Sequence, residues 1–196
     1  MVFLVLVFMG AGSGVVWAKE SPESVLKRSV DDIIMILNEP SYQDSRVDPR
    51  KQRLFDKASE IFDFRSLSMG ALGKSWTRFS EAQKTEFVEL FARLIAESYF
   101  ARMEGQNFED VAIVYKEAEM LASTGSGIKR ADVSTILIHN GVKTPVVYRM
   151  LEKEGTWKVY DVIIEGVSMV SNYREQYRKR FMDSPDLMIR ELKEKL

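Results

Sequence analysis

The chain has no cysteine and a single histidine, His139, among its 196 residues. Disulfide staples, a Cys-His nucleophilic pair and a zinc site built from the ordinary Cys and His ligands are therefore excluded. A Ser-His-Asp triad would have to use His139, which stands beside Asn140-Gly141, a two-residue hairpin signal, so it reads as a turn residue. An excess of either charge is also missing, since 28 Lys and Arg are interspersed with 29 Asp and Glu for a formal net charge of -1. Without a basic field there is no footprint for nucleic acid, which is not expected as a partner. Gly125-Ser126-Gly127 lacks the Lys-Ser or Lys-Thr of a phosphate-cradling loop and leads into a strand pattern, so it reads as a turn.

Charge is absent altogether from residues 1–18, MVFLVLVFMGAGSGVVWA. An apolar run of about nine residues, then small residues, then Val16-Trp17-Ala18, fits a secretory signal peptide cut after Ala18. Gly10, Gly12, Ser13 and Gly14 shorten the run well below the roughly 20 apolar residues that span a bilayer. No Lys or Arg precedes it, which departs from the usual signal pattern. The expectation is an exported protein, with 1–18 as signal and 19–196 as a single domain. At 45% hydrophobic and 29% charged, the chain has the mixture of a globular protein able to bury a core.

What is present begins with helix signals. Ser21-Pro22, Asp48-Pro49 and Ser184-Pro185 each place a capping residue before a proline at the first helical position. The first helix carries Leu26, Val30, Ile33, Ile34 and Leu37 on one stripe and stops near Asn38. The second carries Leu54, Phe55, Ala58, Ile61 and Phe62. A short third piece ends at Gly73, and a fourth helix opens on a capping box from Ser80 to Gln83 and runs to about Met103. From Phe108 the pattern alternates, and four strands are expected at about 108–118, 129–138, 143–153 and 156–165. Helix returns from about Val167 to Met182 and again from Pro185. The expected fold class is α+β: a four-stranded antiparallel meander packed with about six helices, nuclear-transport-factor-like, enclosing an apolar pocket.

Hairpin geometry separates the faces of the sheet. A two-residue turn at Asn140-Gly141 sets Val133 opposite Tyr148 and Asp132 opposite Arg149. For the last hairpin, a three-residue loop containing Gly155 sets Arg149 opposite Asp161, whereas a two-residue loop sets it opposite Tyr160; cross-strand charge pairing favours the former. Asp132, Arg149 and Asp161 then form one row, best read as a structural ion-pair row, with Val147, Leu151, Trp157, Val159 and Ile163 on the same face. The other face holds Ala131, Val133, Thr135, Leu137, Val146, Tyr148, Met150, Tyr160, Val162 and Ile164, without a charge. That face suits either a filled core or a dry pocket for an apolar ligand. Met69, Met103, Met150 and Met169 lie near it, and their flexible thioethers suit both readings.

Trp157, Tyr160-Asp161, Glu165-Gly166-Val167-Ser168 and Asn172-Tyr173-Arg174 resemble the hallmark of the MlaC family, also called toluene-tolerance proteins. Leu72-Gly73, Trp76 and FSEAQKTEFVELFARLIAESY are similar to that family's central helix and its approach. The resemblance implies a periplasmic phospholipid carrier working between an outer-membrane lipoprotein complex and an inner-membrane ABC transporter with an MCE-domain subunit. It implies bound phospholipid as cargo, no cofactor and no enzymatic step, with acyl chains held between sheet and helices. Tails of roughly thirty methylenes would cost on the order of 20 kcal/mol to hydrate, so a carrier must hide them. The candidate lipid-binding residues are the apolar sheet positions Ala131, Val133, Thr135, Val146, Tyr148, Met150, Tyr160, Val162 and Ile164. Phe91, Leu94 and Tyr99 of the long helix join them, with Met69 and Leu72 near an entrance. The rival expectation is an exported adaptor with a filled core, and Ala131→Trp is the substitution expected to separate the two. A small-molecule enzyme would need acid-base groups on the apolar face, which has none.

Overall fold

The computed structural model describes residues 19–39, 49–103, 106–122, 127–180 and 184–196. The expected signal at 1–18, the Asp48 cap and residues 123–126 of the Gly-Ser turn lie outside them. The helix starts form as their capping residues dictate. In α1 (Pro22–Leu37) the Ser21 hydroxyl accepts the Ser24 N–H at 3.3 Å, and Asn38 closes the other end. After α2 (Pro49–Ile61), Asp63 caps α3 (Phe64–Leu72) by accepting the Ser66 N–H at 3.0 Å. A 3₁₀ turn over Gly73–Arg78 leads into α4 (Glu81–Met103). There the capping box is reciprocal: Gln83 N–H donates to the Ser80 hydroxyl at 3.2 Å, and Ser80 N–H donates to Gln83 Oε1 at 2.9 Å.

The sheet has six antiparallel strands rather than the expected four: β1 (Ala112–Tyr115), β2 (Glu119–Leu121), β3 (Arg130–His139), β4 (Val142–Lys153), β5 (Thr156–Ile164) and β6 (Val167–Ser168). The order is β1-β3-β4-β5-β6, with β2 also on β3. The expected first strand splits because residues 116–118 stand against only 133–134 of β3, between the pairs Tyr115–Thr135 and Glu119–Asp132. The Ala118 N–H there donates to the Glu23 carboxylate of α1 at 2.5 Å instead of joining the ladder. The sixth strand arises because Glu165 (φ 50°) and Gly166 (φ 82°) make a two-residue turn that folds Val167 and Ser168 back onto β5. The following α5 (Met169–Arg180) therefore starts two residues later than expected, and α6 (Pro185–Lys195) ends the chain.

The register keeps the expected charge row but reaches it through a different turn. Val133 faces Tyr148, Asp132 faces Arg149, and Arg149 faces Asp161, as the charge row required. The last hairpin, however, has a two-residue turn at Glu154 (φ 51°) and Gly155 (φ 82°), with Lys153 opposite Thr156. The charge pairing survives because a bulge at Arg149/Met150 sets Met150 opposite Val159 and leaves Tyr160 as the extra residue. A one-residue slip exchanges the faces of a strand, so Trp157 and Val159 turn onto the Met150 side and are buried in the core. Tyr160 is thereby corrected from the apolar face to the charged one, where the Arg130 guanidinium lies 5.9 Å from its ring.

Helices cover the Met150 face. Phe87 and Phe91 of α4 are fully buried, with Phe91 edge-on to Tyr173 at 4.8 Å and Phe87 edge-on to Tyr177 at 5.8 Å, both tyrosines from α5. One continuous core joins them to Leu26, Leu67, Ala131, Val133, Met150 and Val159.

Candidate functional site

The first half of α4 is committed to that core, and its second half borders a hollow. Ile95, Ala96, Tyr99, Phe100 and Met103 form one wall of a cavity of about 270 Å³. Leu137, Val146, Tyr148, Val162 and Ile164 of β3, β4 and β5 form the facing wall. Ile33 of α1, Leu54 and Ala58 of α2, and Phe62 and Phe64 at the corner between α2 and α3 close a third side, and Met169 completes the lining. Ala58 and Ala96 supply little side-chain volume where larger residues would fill the space.

Among the described residues, none that lines the cavity is charged. The polar side-chain groups are the hydroxyls of Tyr99 and Tyr148. Burial pushes Tyr148 up to about 12, and burial also raises Tyr99, with the Arg102 charge opposing it. Both phenols stay neutral at physiological pH, able to hydrogen-bond but not to act as bases. The Tyr99 hydroxyl reaches Met169 Sδ at 3.8 Å.

Tyr99, Val162, Ile164 and Met169 are also walls of a second hollow, of about 310 Å³, completed by Ser98, Arg102, Glu165, Val167, Asn172 and Tyr173. Val167 is 62% exposed, so this hollow lies at the surface. An apolar chamber and a polar mouth thus share four residues.

The strand-to-helix stretch that sets the mouth is held by its own side chains. Asp161, 3% exposed, accepts the Ser168 hydroxyl at 2.7 Å and the Val170 N–H at 3.1 Å, and Ser168 in turn accepts the Ser171 N–H at 3.0 Å. These bonds cap α5. Arg174 Nε donates to the Gly70 carbonyl at 2.7 Å, tying α5 to α3. A Cβ on Gly70 would lie 2.8 Å from Val170 Cγ1, so glycine permits this approach.

Of the sequence-predicted residues, the structure brings Tyr99, Val146, Tyr148, Val162 and Ile164 together on the cavity. Ala131, Val133 and Met150 are wholly buried in the core and Thr135 is buried beside them, its hydroxyl donating to the Val146 carbonyl at 3.1 Å. Phe91 and Leu72 are core residues, and Leu94 packs half-buried against the core. Met69 is 49% exposed and not among the lining residues. Ile33, Leu54, Ala58 and Phe62 were legible as helix stripes; nothing in one stripe says that it faces a hollow. Phe64, Ile95, Ala96, Phe100 and Met103 carry no local signal that separates them from ordinary core.

The family model described as MlaC protein matches residues 27–194. No curated protein matches the chain. Among solved structures, the fold is similar to that of the phospholipid-binding protein from Ralstonia solanacearum in complex with a phospholipid, with a TM-score of 0.74 and 20% identity over 90% of this chain and 97% of that one.

Proposed function

The chain belongs to the MlaC protein family, and from that premise we propose that it is a periplasmic phospholipid carrier that holds acyl chain in the cavity between sheet and helices. The uncharged cavity bounded by Tyr99, Val146, Tyr148, Val162 and Ile164 is the observation that carries the reading. At about 30 Å³ per methylene-sized group, taken as the share of liquid volume of one water, 270 Å³ accepts about nine groups. Hiding nine methylenes from water is worth about 7 kcal/mol. An adaptor with a filled core has no use for such a space.

Residues 1–18 act as the export signal, and the domain from residue 19 onward shuttles lipid between an outer-membrane lipoprotein complex and an inner-membrane ABC transporter carrying an MCE-domain subunit. Among the described residues no helix is long and apolar enough to cross a membrane. The work is carriage rather than catalysis, a reading supported by the lining, where among the described residues the phenols of Tyr99 and Tyr148 are the only titratable groups and both are held protonated. The nuclear-transport-factor-like layout serves as a container, with the sheet as one wall and α4 as the other.

A vesicle assay tests this reading. Donor vesicles with self-quenched fluorescent phospholipid, mixed with unlabelled acceptors, should dequench at a rate proportional to protein concentration. A rate independent of protein would refute carriage.

A further inference from the structure

Among the described residues, the polar mouth contains one cation and one anion. Arg102 belongs to the last turn of α4, and its guanidinium carbon lies 5.9 Å from the Tyr99 ring. Glu165 belongs to the turn before β6, where its backbone is fixed by a left-handed φ of 50° and by N–H donation to the Pro145 carbonyl at 3.0 Å. Both residues line the same hollow, both are exposed, and neither has an ion-pair partner among the described residues. The other polar residues described there, Ser98, Asn172 and Tyr173, are uncharged, so the described lining is neutral in sum and charged at two separate points.

Resting on the carrier reading, we infer that this mouth selects phospholipids with a zwitterionic aminoethyl phosphate head group, Arg102 taking the phosphate and Glu165 the ammonium. The shared walls Tyr99, Val162, Ile164 and Met169 make the placement chemically coherent, because a head group in the mouth stays adjacent to tails in the apolar chamber. An arginine fork pairs with phosphate through charge-assisted hydrogen bonds, and a primary ammonium does the same with a carboxylate. A phosphoglycerol head can satisfy Arg102 but brings no cation, leaving the carboxylate unpaired beside an anion. Selectivity arises from that mismatch as much as from the match.

The test incubates lipid-stripped protein with vesicles of equimolar phosphatidylethanolamine and phosphatidylglycerol of identical acyl composition, and counts the lipid bound by mass spectrometry. Exposed ion pairs of this kind give roughly two- to fivefold enrichment of the ethanolamine lipid. Glu165→Gln should bring the ratio toward one, Glu165→Lys should invert it, and Arg102→Gln should lower uptake of both lipids. At 1 M salt, where the screening length falls to about 3 Å, the wild-type preference should fade. Equal uptake of the two lipids by the wild type, or an unchanged ratio in Glu165→Lys, overturns the head-group inference while leaving carriage intact. No lipid bound by the wild type overturns carriage, and the inference with it.

Discussion

Ala96→Phe puts a ring into the cavity from the α4 wall. The substitution adds six ring carbons to a space that accepts about nine methylene-sized groups, so about two thirds of the room is lost. At ~0.8 kcal/mol per methylene the displaced tail segment forfeits up to about 5 kcal/mol. The walls can yield and the rest of the lipid keeps its contacts, so the working expectation is phospholipid uptake reduced at least tenfold, equivalent to about 1.4 kcal/mol. Stability should move little, because new packing offsets an overpacking strain of about 1–3 kcal/mol. Equilibrium uptake from vesicles, normalised to the folded fraction from a melting curve, separates the two effects. Ala131→Trp serves as the contrast: Ala131 is fully buried in the core and not among the cavity-lining residues, so that change should unfold the protein without a specific effect on uptake. Wild-type uptake by folded Ala96→Phe, or a loss no greater than its loss of folded protein, would refute the assignment of the cavity.

Phe91→Ala should cost about 3–5 kcal/mol in urea unfolding, since Phe91 is core rather than lining; reduced uptake at unchanged stability would contradict its placement. Gly70→Ala should cost about 1–3 kcal/mol by forcing Cβ against Val170, and the double variant with Val170→Ala should recover part of that in a double-mutant cycle. Burial pulls the Asp63 carboxyl up, but the Ser66 N–H, Lys153 and the Ser66 hydroxyl outweigh it and hold the group below its ordinary value. Its stabilisation is therefore full above the unfolded value of about 3.9 and is lost as pH falls below that. Asp63→Asn should cost about 1–3 kcal/mol at pH 7, with the gap to wild type closing under acid. Asp132 is raised by burial, with Glu119 and Asp161 adding to the rise and Arg149 opposing it, so its ionised form is a liability. Asp132→Asn should match or exceed wild-type stability at pH 7, any advantage shrinking as pH falls through the raised value.

Helix starts were legible because they are local: a cap and a following proline settle the geometry within four residues, as Ser21 and Ser184 do. Strand register was legible only where its cause was local too. Asn140-Gly141 fixed one hairpin, but at the next the charge pairing of Arg149 with Asp161 fits both a wide turn without a bulge and a tight turn with one. Only packing of Trp157 and Val159 into the core distinguishes them. The lining was half-legible for a related reason. Alternation identifies the sheet's apolar face, yet the filled end at Ala131, Val133 and Met150 and the hollow end at Val146, Tyr148 and Val162 have the same chemistry. On α4 the helix meets α5 near Phe87 and Phe91 and the hollow from Ile95 onward, a change of partner that periodicity does not record.

On the carrier proposal, the chamber walled by α4 and the sheet holds a tail segment of about nine methylene groups of a bound phospholipid. Native mass spectrometry of the purified protein tests it most directly. Peaks displaced from the polypeptide by integral phospholipid masses, and diminished in Ala96→Phe, are what the cavity predicts. A spectrum of bare polypeptide that gains no lipid mass after incubation with vesicles would contradict it.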